Sequence, residues 1–177
     1  MDEATFWYLL AQAIELTEEK LEQKQVAEFQ DLELANLKKL LSKLGEDELV
    51  GFQEIVDYLM DQAYTWPLWG AGYLIRGGLS DDEFTYFRAG LIMRGKEVYE
   101  GALSEPDSLA DVPEILPCED FLYLACETYE ERSGDGAIYE RYRETINLEP
   151  AGEPFDEDDE THLRETYPRL WELYSQE

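Results

Sequence analysis

The sequence predicts an all-α fold, a compact single-domain bundle of about seven to nine helices. Two observations carry this. Apolar residues return at three- and four-residue spacings along most of the chain, and only short stretches such as Ala137 to Tyr139 have even a weak strand pattern. With 177 residues, 44% of them hydrophobic and 13% aromatic, there is material for a real core.

In the first segment Phe6, Leu9, Leu10, Ala13 and Ile14 share one helical face, and Asp2 is placed to cap it. A second helix is expected from about Lys20 to Leu44, with Val26, Phe29, Leu37, Leu40, Leu41 and Leu44 inward and Gly45 as its C-terminal stop. A third runs from about Asp47 to Tyr64 and buries Leu49, Phe52, Ile55, Val56, Leu59, Met60 and Ala63.

TWPLWGAGYLIRGG follows. Pro67 suits a first helical turn, and the residues after it are apolar almost all the way round, which predicts a central apolar helix near residues 67–76. Gly70 and Gly72 each cost such a helix about 1 kcal/mol relative to alanine, so a close-packed backbone or Trp ring is expected there. Gly77 and Gly78 end it. In SDDEF, Ser80 and Glu83 have capping-box spacing, Asp81 and Asp82 face the positive end of the helix dipole, and Leu79 with Phe84 forms a hydrophobic staple.

KEVYEGAL reads as a short helix, PDSLAD as one more turn, and Glu119 to Arg132 as a helix broken by SGDG. The last stretch opens on prolines and acids and closes on a short helix with Leu170, Trp171, Leu173 and Tyr174. Residues 1–134 are thus expected to be the helical core, and 135–177 an acidic extension docking on it through aromatics.

Charge excludes several functions. Forty-two acids against 14 lysines and arginines leave a formal charge of -28, which disfavours direct nucleic-acid binding and anionic membranes. No apolar run approaches the roughly 18 to 20 residues of a membrane span. The acidic N-terminus lacks a signal-peptide pattern, so a cytoplasmic location is expected. Cys118 and Cys126 lack CxxC spacing and read as small core thiols.

Chemical motifs are scarce. FDEDDE, counted from Asp156, has Thr161 and Tyr167 where a calcium loop needs glycine and glutamate. His162 is the only histidine and reads as a solvated helix position, and no phosphate loop, dinucleotide fingerprint or HExxH occurs. No metal site and no cofactor is expected. Arg88, four residues after Phe84, points to the apolar side of its helix and needs a partner, with Asp81 or an acid from a neighbouring helix a candidate for an ion pair. The alternative is an anion subsite with Arg76 and Arg94; those three and Lys96 are the only basic residues between positions 44 and 131.

The strongest remaining signal is unopposed acidity: eleven acids and no lysine or arginine from Glu97 to Glu131, then eight more from Glu144 to Leu163. Such self-repulsion suits a solvated surface, steering onto a basic protein, or mimicry of a nucleic-acid backbone.

MDEATFW, the central stretch AYTWPLWGAGYLIRGGLSDDEFTYFRAGLIMRGKEVYEGALSEPDSLAD and EDFLYLACETYEERSG together resemble the bacterial domain of unknown function 4240 family over most of residues 1–134. The resemblance implies the helical fold and brings no activity, substrate or cofactor with it.

The function expected is therefore a non-enzymatic interaction or regulatory module for a basic protein. Trp66, Trp69, Tyr73, Arg76, Asp81, Arg88 and Tyr99 are the candidate binding residues. The alternatives are a small enzyme using a carboxylate–arginine pocket around Arg88, and a nucleic-acid-mimicking inhibitor or immunity-type protein.

Overall fold

The computed structural model describes residues 1–19, 26–112, 114–141 and 149–175. The expected beginning of the second helix at Lys20, the side chain of Val26, and Glu144 at the head of the second acidic run lie outside the described residues.

Helix is the only regular structure among them: ten α-helices and one 3-10 helix. This exceeds the expected seven to nine because short elements are counted in. Pro106–Asp111 is a 3-10 helix, Ile138–Arg141 a single turn, and the expected C-terminal helix is two. Pro168 cannot donate the backbone bond a continuous helix needs, so Glu160–Thr166 (α9) stops at Tyr167 and Pro168–Tyr174 (α10) begins anew. Ala137 is a turn, and Ile138 and Tyr139 belong to the short helix Ile138–Arg141 (α8), not to a strand.

The chain divides into two compact units, Met1–Leu59 with Cys118–Thr145, and Met60–Pro117 with Ile146–Glu177. The C-terminal stretch thus shares a unit with the middle of the chain.

In the first unit, Glu3–Glu18 (α1) packs on Val26–Leu41 (α2), which also meets Glu119–Ser133 (α7). Asp2 caps α1 by accepting from the Thr5 amide at 2.8 Å. Phe6 and Phe52 have ring centroids 4.7 Å apart, and Phe52 meets Phe121 edge-on at 6.4 Å, so one aromatic cluster centres this core. Between α1 and α2 the Asn36 amide donates to Thr17 Oγ1 at 3.0 Å, and the Thr17 hydroxyl in turn donates to the Ala13 carbonyl. The expected stop at Gly45 is corrected: α2 ends at Leu41, and the Gly45 amide donates to Glu48 Oε2 at 2.7 Å as part of the start of Glu46–Gln62 (α3). Gly45 lacks the positive φ of a C-terminal cap.

The second unit is built around Trp66–Arg76 (α4), Asp81–Met93 (α5) and Lys96–Ser104 (α6). Thr65 caps α4, Pro67 sits in its first turn, and Gly77 ends it at φ 68°. Apolar though it is, α4 is not buried all round. Leu68, Ala71 and Leu74 are buried, Trp66, Trp69 and Tyr73 are half-buried, and Pro67 is exposed. The packing that its glycines admit also differs from the expected Trp or backbone. A Cβ on Gly70 would meet the Tyr167 hydroxyl at 2.5 Å, and one on Gly72 would meet the Leu79 side chain at 2.8 Å.

α10 packs on α4 and on the 3-10 helix. Its first turn is capped from outside, since the buried Asp107 carboxylate accepts from the Leu170 amide at 3.0 Å and the Arg169 amide at 3.2 Å. Leu163, Tyr167 and Leu170 are buried, whereas Leu173 (57% exposed) and Tyr174 (44%) face solvent.

Candidate functional site

The second unit places most of the expected binding residues along one column of rings. Trp66 stacks on Trp69 with centroids 5.2 Å apart and planes 14° from parallel, and Trp69 stacks on Phe84 at 4.8 Å. The spacing follows from the helix: residues three apart on α4 lie on one face, and Phe84, four residues into α5, meets them from the neighbouring helix. The Trp69 indole N–H donates to the Leu79 carbonyl at 3.0 Å, which fixes the middle ring. Phe155 meets the outer end of the column, 6.1 Å from Trp66 and 5.5 Å from Tyr73.

Arg88 lies at the buried end, only 7% exposed. Its guanidinium donates from Nη1 to the Met60 carbonyl at 2.7 Å, from Nη2 to Thr85 Oγ1 at 2.9 Å and from Nε to the Phe84 carbonyl at 3.4 Å. It also lies over two ring faces, Tyr64 at 4.5 Å and Phe84 at 5.0 Å. Burial pushes its pKa below the ordinary value, opposed by the charges of Tyr64, Asp81 and Asp61.

The expected Arg88–Asp81 ion pair is therefore replaced by a relay. The Tyr64 hydroxyl donates to Asp81 Oδ1 at 3.0 Å while the Tyr64 ring faces Arg88. Burial and the bond to Asp81 raise the Tyr64 pKa. Ser80 and Glu83 complete the capping box that holds Asp81 in the first turn, and the Ser80 amide and hydroxyl both draw the Glu83 carboxyl below its usual value.

Trp66, Trp69, Tyr73, Asp81 and Arg88 are linked through Tyr64, Phe84 and Phe155, three residues outside the expected binding set. The other candidates lie apart. Arg76 is exposed and 4.0 Å from Glu114, Lys96 pairs with Glu100 one turn on, and Tyr99 is a core residue at 2% exposure. Tyr64 had one visible cue, its place immediately before the Thr65 cap. Phe155 had none beyond its aromatic character.

FDEDDE forms turns and a cap. The Asp158 amide donates to Asp156, and Asp159 accepts from the His162 amide at 3.0 Å to start α9. Among the described residues no group of three His, Cys, Asp or Glu side chains is placed to hold a metal ion, and no helix is long and apolar enough to cross a membrane.

In the first unit the outer face of α7 carries Glu119, Tyr123, Glu127 and Glu130, spaced by four, four and three residues so that they form one exposed line. Tyr123 is 48% exposed and Tyr139 53%. Tyr139 adjoins this line: burial raises its pKa, as do the nearby Cys126, Glu130 and Glu127. Several cations of this unit are engaged locally. Lys38 pairs with Glu131 at 2.8 Å and Glu127 at 3.7 Å, Arg141 with Asp47 and Glu46, and Arg132 donates to the Leu44 carbonyl.

The model of one protein family, described as a protein of unknown function (DUF4240), matches residues 1–131. No curated protein and no solved structure matches the chain.

Proposed function

We propose, for a chain that belongs to the DUF4240 family of proteins of unknown function, that it works as a binding module for a basic protein partner, without chemistry of its own. The observation that carries the reading is the outer face of α7, where Glu119, Glu127 and Glu130 flank the exposed ring of Tyr123 and adjoin Tyr139. Carboxylates on a chain of net charge -28 attract a basic surface over a distance set by the Debye length, about 8 Å at physiological salt. Tyrosine rings then offer apolar area and a π face to arginine and lysine at little entropic cost.

Much of the molecule's positive charge is already committed, at Lys38, Arg76, Lys96, Arg141 and Arg169, each paired with an acid of the same chain. Arg88 is likewise engaged by carbonyls, a hydroxyl and two rings, which favours a structural role over a catalytic one.

The test is binding of the full chain to a synthetic lysine-rich peptide across a salt series, alongside affinity purification from its own host at low and high salt. Affinity should fall steeply as salt rises and should drop several-fold in a Glu119→Lys, Glu130→Lys double variant. Binding that is absent, or unchanged by both salt and the double variant, would overturn the reading.

A further inference from the structure

We infer that Phe155 is a plug built into the chain: it occupies, in cis, a cradle between Trp66 and Tyr73 that receives an apolar or aromatic side chain of the partner. The proposal rests on the preceding reading only for the partner's basic charge.

Three observations support a separable plug. First, the segment is held at its ends and, between them, touches the cradle through the Phe155 ring and through Glu157 beside the Tyr73 hydroxyl. At one end Ala151 bridges to Thr65, its amide donating to the Tyr64 carbonyl and its carbonyl accepting from the Trp66 amide, both at 2.9 Å. At the other, Asp159 starts α9, which buried Leu163 anchors. Between them residues 152–154 and 156–158 are exposed, and only Phe155 is half-buried. Gly152, at φ 91° and with Pro67 beneath it, gives a turn at the near end that L side chains rarely adopt.

Second, the Trp66 side of the cradle is held independently of the plug: Trp66 is stacked on Trp69, and Trp69 is fixed by its bond to the Leu79 carbonyl. Third, charge complementarity selects the visitor. Asp156, Glu157 and Asp158 directly follow the plug, and burial together with Glu157 raises the pKa of Tyr73. An aromatic or apolar residue flanked by lysines can exchange with Phe155 while these acids meet its flanks. A site open only part of the time binds more weakly by the fraction open, so removing the plug should strengthen binding.

The experiment compares full-length wild type, Phe155→Ala and Phe155→Leu, each checked for an unchanged circular dichroism spectrum. The probes are a lysine-rich peptide without aromatics, the same peptide carrying one phenylalanine, and N-acetylphenylalaninamide. Phe155→Ala should bind the phenylalanine-bearing peptide about three- to tenfold tighter than wild type, with Phe155→Leu between them and the plain lysine peptide unaffected. Equal gain for both peptides, or none, overturns the plug. If neither lysine peptide binds but N-acetylphenylalaninamide shifts the Trp66 indole resonance more in Phe155→Ala than in wild type, the cradle stands and the basic-partner reading falls. Self-association of wild type that Phe155→Ala abolishes would assign the cradle to a second copy's Phe155 and overturn the proposal for a partner.

Discussion

The Arg88 guanidinium lies 4.5 Å from the ring centre of Tyr64, and the hydroxyl of that same tyrosine donates to Asp81 at 3.0 Å. Between them the two residues connect the end of α3 to the start of α5. The Met60 carbonyl, in the last turn of α3, is one of the acceptors a helix leaves unsatisfied, and Arg88 supplies its donor at 2.7 Å. Arg88→Ala removes both the donor and a buried stem, and should cost about 2–4 kcal/mol in urea unfolding. Arg88→Met keeps the stem and should cost only about 1–2 kcal/mol. Equal losses in the two variants would mean that the buried stem contributes little and that the lost donor accounts for the whole effect.

How much of this was readable in the chain depended on distance along it. Ser80 to Glu83 spans one turn, so its capping box follows from spacing alone, and the structure has both reciprocal bonds. The burial of Arg88 was equally local, because its helical phase relative to Phe84 fixed its direction. Its partners were not, since the Met60 carbonyl and the Tyr64 ring arrive from another helix. Gly45 is ambiguous in the sequence because a glycine between two helices fits either end, and only its lack of a positive φ and its bond to Glu48 assign it to the second. Phe155 and Tyr167 reach α4 from far along the chain, and periodicity within a helix carries no information about such pairings.

Asp107 offers a second stability test. Its buried carboxylate accepts from the amides of Arg169 and Leu170, two groups that α10 cannot satisfy itself. Asp107→Ala should cost about 1–2 kcal/mol and speed hydrogen exchange at those two amides, with Asp107→Asn closer to wild type because one acceptor oxygen remains. Unchanged exchange in Asp107→Ala would show that the cap is dispensable.

Gly90 and Gly70 predict different responses to the same added methyl. A Cβ on Gly90 would meet the Leu116 carbonyl oxygen, a backbone atom with little room to yield. At Gly70 it would meet the Tyr167 hydroxyl, the end of a side chain. Gly90→Ala should therefore be the more destabilising, by about 2–3 kcal/mol, even though alanine is the better helix former. A Gly90→Ala variant as stable as wild type would contradict the close approach of α5 to Leu116.

Tyr167 and Cys118 give the alkaline limb of stability its sign. Burial pushes the Tyr167 hydroxyl from 10.0 up to about 12 and the Cys118 thiol from 9.0 up to about 12. Each group is protonated in both folded and unfolded chains below its ordinary value. Above that value the unfolded chain loses its proton first, so stability falls as pH rises toward about 12. The loss from Cys118 begins near pH 9.0 and that from Tyr167 near pH 10.0. Tyr167 also donates to the Pro67 carbonyl at 2.8 Å, a bond its deprotonated form cannot make. Tyr167→Phe should be less stable than wild type near neutrality by about 1 kcal/mol. The gap should narrow as pH climbs above 10.0, because the variant has no hydroxyl to titrate. Urea midpoints of the two proteins across the alkaline range measure this, and a gap that widened instead would mean that Tyr167 ionises more readily in the folded chain than in the unfolded one.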